Sequence, residues 1–254
     1  MYEQAKLGAI VWVVAFAAAL GQVHATESMA QRIAAQQAAD DRHEFDFRRD
    51  AARQPYELFQ FLTLEEGMTA LDVGAYAGYT TEMFAAAVGP GGRVYSHNTE
   101  AVLNRYANGY YKATMEERLA NNRLPNVVLL VREYEALGLT DEVDVAFLGN
   151  IIHDFYYRDG EDLALAFLSS IFAALKPGGV LGVSDHVGES TEDNKALHRI
   201  TPELAKELLT KVGFVIEAES DLYANPNDDH KLMVYSEEIY LKTDRFLLRA
   251  RKPN

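Results

Sequence analysis

His153 and Asp154 stand side by side in GNIIHDFYYR, just beyond an apolar run that ends at Gly149. An imidazole, with a reference pKa near ~6.5, takes and returns protons around neutrality. It serves as a general base when a carboxylate orients it, and Asp154 is the carboxylate at hand. Phe155, Tyr156 and Tyr157 follow, with rings that an apolar acceptor pocket would use. A helix-capping pair at a strand end is the plainer account of the same two residues. SDHVGES puts Asp185 and His186 at the end of another apolar run, and His198 comes later in LHRI. Such a set of imidazoles and carboxylates could coordinate a divalent metal. No tight spacing of the H-E-x-x-H kind exists and there is no cysteine, so no metal ligand is assigned. Asp228-Asp229-His230, in a turn-rich stretch, reads as solvated loop charge.

The stretch LDVGAYAGYT, residues 71–80, points to ligand binding rather than proton transfer. An apolar run ends in Asp72, glycines follow at 74 and 78, and a helical segment begins. Gly74 would let the backbone turn sharply at positive φ. Gly78 would let a ligand approach the start of the helix, whose free N–H groups favour an anionic group. Tyr76 occupies the middle of what would otherwise be a three-glycine spacing, where its ring would either stack over a ligand or fill the ligand's place. The chain has no G-x-S-x-G elbow, Walker loop or cysteine nucleophile.

These residues need a scaffold that brings strand ends to one edge. From Met68 onward, apolar runs at 69–74, 93–98, 126–131, 143–149 and 179–185 alternate with the helical segments YTTEMFAAAV, AVLNRYANGYYKATMEERLA and EDLALAFLSSIFAALK. This alternation predicts a parallel sheet covered by helices on both faces, doubly wound through right-handed crossovers. After the helix TPELAKELLTKVG, the runs FVIEAESDLY and YLKTDRFLLRARKP have no helix between them and predict an antiparallel pair. The expected fold is α/β, a mostly parallel seven-stranded sheet with a C-terminal antiparallel strand pair. The turn after its first strand is the default ligand site. Residues 26–64, rich in Ala, Gln and Arg, predict a helical cap ahead of the α/β domain at 65–254.

Asp72-x-Gly74-x-Tyr76-x-Gly78 resembles the D-x-G-x-G-x-G motif of class I S-adenosylmethionine-dependent methyltransferases. LKPGGVLGVSD is similar to the turn and fifth strand of that fold, and ARQPYELFQFLTLEEGMTALDVG to its lead-in. RRDAARQP, AVGPGGRVYSHN, IIHDFYYR, LHRI and KTDRFLLRARKP together look like a group of exported, predicted methyltransferases of Gram-negative bacteria. The resemblance runs from about Phe47 to Pro253. It implies a Rossmann-like methyltransferase fold, S-adenosyl-L-methionine as cofactor, and methyl transfer to a small-molecule acceptor. It also implies Asp72, Gly74, Tyr76, Gly78, Asn98, Glu133 and Asn150 as cofactor-binding residues, with His153 and Asp154 catalytic at the acceptor. Two positions depart from the pattern. Tyr76 replaces a glycine, and the second strand ends in His97-Asn98 where the family has a ribose-binding acid. Asn98 can both donate and accept hydrogen bonds in its stead. These departures raise an alternative: an inactive exported protein of this fold that binds another small ligand or a divalent metal.

At 254 residues the chain suits one α/β domain. Its 38 acidic against 24 basic side chains give a formal charge of −14, which repels nucleic acid and anionic membrane surfaces as partners. At the N-terminus, Lys6 precedes an uncharged apolar stretch, Leu7 to Leu20, and Val23-His24-Ala25 offers small residues for cleavage. This predicts a signal peptide over residues 1–25, cut near Ala25, and a periplasmic or secreted protein. The stretch is shorter than the roughly 20 residues that span a bilayer, so no stable membrane insertion is expected after cleavage. An N-terminal core helix or an uncleaved anchor is the other account. The sequence carries no signal of oligomeric state.

Overall fold

Each apolar run of the α/β part becomes a strand. β1 (Thr69–Val73), β2 (Arg93–Asn98), β3 (Val127–Val131), β4 (Val143–Gly149), β5 (Leu175–His186), β6 (Val215–Ser220) and β7 (Arg245–Arg251) form one sheet in the order β3-β2-β1-β4-β5-β7-β6. The first five pair in parallel, and β7 runs antiparallel to both β5 and β6. This is the expected seven-stranded sheet with its antiparallel C-terminal pair. The computed structural model describes residues 27–254, so the segment expected to be a signal peptide lies outside the described residues. Among the described residues no helix is long and apolar enough to cross a membrane.

Ten helices surround the sheet among the described residues: α1 (Met29–Gln37), α2 (Phe47–Arg53), α3 (Pro55–Phe61), α4 (Tyr79–Val88), α5 (Glu100–Asn104), α6 (Tyr110–Leu119), α7 (Ile152–Asp154), α8 (Glu161–Ala174), α9 (Asn194–Leu197) and α10 (Pro202–Val212). A π-helical turn, Phe155–Asp159, continues α7. The central strands β1 and β4 are mostly apolar because both of their faces are covered. On β4, Ala146 and Leu148 enter the layer under α8 and α10, whereas Val145 and Phe147 enter the layer under α1, α3 and α4. In that second layer Phe59 and Phe84 stack with centroids 4.4 Å apart.

Two local features differ from the periodicity. The segment 101–120 is not one helix: Ala107, Asn108 and Gly109 take left-handed φ values of 49°, 54° and 80°. Asn-Gly suits that conformation, and the break brings Tyr106 and Tyr111 to the cleft. β5 begins at Leu175, before Pro177. Its register with β4 jumps from Val143↔Leu175 to Val145↔Val180, so residues 176–179 bulge out, with Gly178 at φ 77°.

Candidate active site

β1 and β2 end together, and the polar groups there bind one another. Gly74 and Gly78 adopt φ values of 65° and 80°, as a sharp turn requires. The Ala75 N–H donates to the His97 carbonyl at 2.8 Å, and the Gly74 N–H reaches His97 Nδ1 at 3.4 Å. His97 Nε2, 3.1 Å from the Arg132 carbonyl, therefore carries the proton. Burial pushes the His97 pKa down to about 4. Asp72 accepts the Thr81 hydroxyl at 2.6 Å, and that hydroxyl lies 2.8 Å from Ser96 Oγ. Burial pushes the Asp72 pKa up to about 6, against the opposing effect of its Thr81 bonds. Asp72 thus secures the first turn of α4, where a negative charge is favoured. Asn98, fully buried, accepts the Tyr76 N–H at 2.8 Å and donates to the Tyr76 carbonyl at 3.2 Å. It clamps the backbone that holds Tyr76 at φ 50°. A Cβ at Gly78 would meet Met115 Sδ at 2.6 Å and Arg118 Nε at 3.1 Å, so close packing of α6 requires glycine there.

Beyond this turn the sheet edge opens into a cavity of about 750 Å³, with a smaller one of about 100 Å³ against the glycine turn. Asp72, Gly74 and Gly78 line the small space, and Glu133, Asn150 and Asp154 line the large one. Tyr76 borders both, its ring edge-on to Tyr111 with centroids 5.1 Å apart. The phenol therefore narrows the passage but leaves the larger volume open. Arg49 and Arg53 of α2 form one wall, and Tyr235, Tyr240 and Leu241 of the segment before β7 form another.

That segment is fastened from within. Arg199 makes a two-point pair with the Asp228 carboxylate at 2.9 and 3.0 Å, and its remaining donors take the Val187 and Leu232 carbonyls. Asp228 is 5% exposed, so it is a structural charge and not the solvated one that its loop composition implied. His230 bridges Glu189 at 2.8 Å and Asp244 at 3.0 Å.

Opposite the glycine turn, β4 and β5 deliver the groups able to do chemistry. His153 Nδ1 lies 2.8 and 3.0 Å from the two oxygens of buried Asp185, which also accepts the His153 backbone N–H at 3.0 Å. Burial opposes charge on His153, but the Asp185 carboxylate outweighs it and raises the pKa. Asp185 is in turn held low by His153 despite its own burial. With Nδ1–H given to Asp185, the lone pair sits on Nε2. The orienting carboxylate is thus Asp185 and not Asp154, because Asp185 at the end of β5 hydrogen-bonds Nδ1 whereas Asp154 faces the other ring nitrogen beyond hydrogen-bond distance. Asp154 instead stands 3.6 Å from His153 Nε2 and 3.5 Å from His198 Nδ1. His186 turns away, with Nδ1 2.7 Å from the Thr243 hydroxyl, and burial pushes its pKa down to about 3. Asn150, at φ 60°, donates its N–H to the Ser184 carbonyl at 2.7 Å. Its Oδ1 is buried without a partner, as are His153 Nε2, Ser184 Oγ and His198 Nδ1. Nothing in the residue types foretold the parts of Tyr235, Tyr240 or the α2 arginines. The one available signal for Asp185 was its place at a strand end.

Residues 51–128, the segment from α2 to β3, match the sequence model of the protein-L-isoaspartate(D-aspartate) O-methyltransferases. No curated protein matches the chain. Among solved structures, it is similar to a SAM-dependent methyltransferase from Aquifex aeolicus at 21% identity, covering 80% of this chain and 92% of that one, with a TM-score of 0.58. It is also similar to the [4+2]-cyclase SpnF at 21% identity, 80% of each chain and a TM-score of 0.55. A possible exported protein from Bordetella parapertussis matches at 15% identity over 81% of this chain and 68% of that one, with a TM-score of 0.53. Sheet order, glycine turn and neighbours agree: the chain has the Rossmann-like fold of the S-adenosylmethionine-dependent methyltransferases.

Proposed function

We propose that the protein is an S-adenosylmethionine-dependent methyltransferase that acts on a small-molecule acceptor outside the cytoplasm. One observation carries the reading: a cavity of about 750 Å³ opens where the methyltransferase fold binds its cofactor, and it is lined by Asn150, whose Oδ1 is buried without a partner. A buried acceptor without a partner fits the ammonium of the cofactor's methionyl part. Glu133 and Tyr76 border the remaining volume and would hold the adenosyl part. Asn98 lines neither cavity, so its contribution is to hold Tyr76 in place. Bound there, the cofactor supplies an electrophilic methyl group on a sulfonium.

The chain's own residues do the rest. His153 Nε2, which carries the lone pair of the neutral ring because the Nδ1 proton is given to Asp185, takes a proton from the acceptor, and Asp185 favours the imidazolium that results. Tyr235 and Tyr240 close the acceptor side, and holding the two reactants in contact supplies much of the acceleration. A concave cavity walled by rings favours a small acceptor over a polymer. The extracytoplasmic location rests on the residue pattern of 1–25 and is tested by N-terminal sequencing of the protein isolated from its host.

The decisive measurement is thermal. S-adenosylhomocysteine at a hundredfold excess over its Kd should stabilise the protein by about 2.7 kcal/mol, read as a raised Tm. No shift at millimolar ligand ends the reading.

A further inference from the structure

We propose that His153, Asp154 and His198 form a binding site for a divalent transition ion of the zinc type. The donor atoms all lie within 4.8 Å of one another. Asp154 Oδ1 stands 3.6 Å from His153 Nε2 and 3.5 Å from His198 Nδ1. These gaps are too long for hydrogen bonds. They match the edge of a tetrahedron around zinc, where ligands about 2.0–2.2 Å from the metal stand about 3.4 Å apart.

The state of the imidazoles points the same way. His153 is 2% exposed, and its Nε2 and His198 Nδ1 are both buried without a partner. Asp185 binds His153 Nδ1 with both oxygens, which fixes the tautomer that leaves Nε2 free to ligate. A carboxylate behind a ligating histidine is the usual outer support of such sites. His198 presents its ring from a left-handed residue, φ 55°, directly after α9. His186 stays outside the set because Thr243 takes its Nδ1. Two imidazoles and one carboxylate favour first-row transition ions over magnesium or calcium, which prefer oxygen.

Three protein ligands leave a coordination position open, and Asp154 and His198 both line the large cavity. A site of that form is built to hold a reactant. The ion site stands independently of the proposed methyl transfer. Only its use rests on that reading: an acceptor hydroxyl or thiol would ligate the ion as its anion, releasing its proton to solvent. The ion would then supply at Nε2 the activation that the bare imidazole otherwise gives.

Calorimetric titration of chelator-stripped full chain with zinc chloride tests this. We expect one ion per chain with micromolar or tighter affinity. Asp154→Ala and His198→Asn should each abolish it, asparagine being chosen because it tolerates the left-handed backbone. Asp185→Asn should weaken it by about 10–100-fold. The S-adenosylhomocysteine shift should persist in Asp154→Ala and His198→Asn, showing that both remain folded. Absence of zinc binding, or binding undiminished in both variants, overturns the site. Zinc binding without any S-adenosylhomocysteine shift keeps the site and removes the methyltransferase reading instead.

Discussion

At the turn between β1 and α4, Asp72, Thr81, Ser96, His97 and Asn98 are buried, and each is bonded to another group of the protein. Across the cleft, Asn150, His153, Ser184 and His198 each keep a buried polar atom with no partner. Both sides belong to the same sheet edge, where Asp72 lines the small cavity and Asn150 and His198 line the large one. The difference separates scaffold from working surface. A buried group satisfied internally fixes geometry, whereas an unsatisfied one costs stability and persists where a ligand or water completes it. The motif that first draws the eye therefore shapes the cleft, and the less conspicuous ends of β4 and β5 hold the atoms that can act.

The comparison breaks most visibly at His153. His153→Gln should lower turnover of an accepted small molecule by about 10²–10⁴-fold, the range a positioned base supplies. Asp185 would keep the backbone N–H groups of residues 153 and 186, so the variant should stay folded and retain its S-adenosylhomocysteine shift. A loss of less than tenfold in initial-rate assays removes His153 from the chemistry.

A mutation across the cleft should behave in the opposite manner. Asn98→Ala deletes both bonds to the Tyr76 backbone and should cost about 1–3 kcal/mol in urea unfolding. Any fall in cofactor affinity should then follow from the loosened turn, so it should be small when the variant is assayed well below its melting temperature. Unchanged stability with strongly reduced affinity would mean that Asn98 touches the ligand itself, and the two sides would no longer differ.

The strands and their pairing were legible because burial on both faces writes continuous apolar runs, and β2 and β4 fall on their expected ranges, 93–98 and 143–149. The glycine turn was legible for the same local reason, since positive φ selects residue type. Partnerships were not. Asp154 adjoins His153 in the chain, yet Asp185, 32 residues away, holds the ring, because strand pairing and not adjacency decides which groups meet. Asp228 looked solvated because its neighbours are polar, and only the fold brings Arg199 to it. Gly78 shows the limit at a single residue: the position was readable, but its cause is the approach of Met115 and Arg118 from α6.

The smallest effect lies inside the turn, where two titrations oppose each other. Asp72 has its pKa raised to about 6 in the folded chain, so above the ordinary carboxylate value of about 3.9 the native state keeps a proton that the unfolded state has released. Stability from this group falls as pH rises through that window. His97 is lowered to about 4, below its ordinary value of about 6.5, so over the same window the unfolded state holds a proton that the native state lacks, and stability rises. The two slopes nearly cancel. Asp72→Asn keeps an oxygen for the Thr81 hydroxyl and removes only the falling term, although Arg53 and Arg118 already draw the Asp72 pKa partly down. The variant should therefore gain stability with rising pH more steeply than the parent, by up to about 1.4 kcal/mol per pH unit between about pH 4 and 6. Urea midpoints taken through that range would show the two curves diverging. Parallel curves would place Asp72 in contact with water, and with it the claim that the turn side is sealed upon itself would fall.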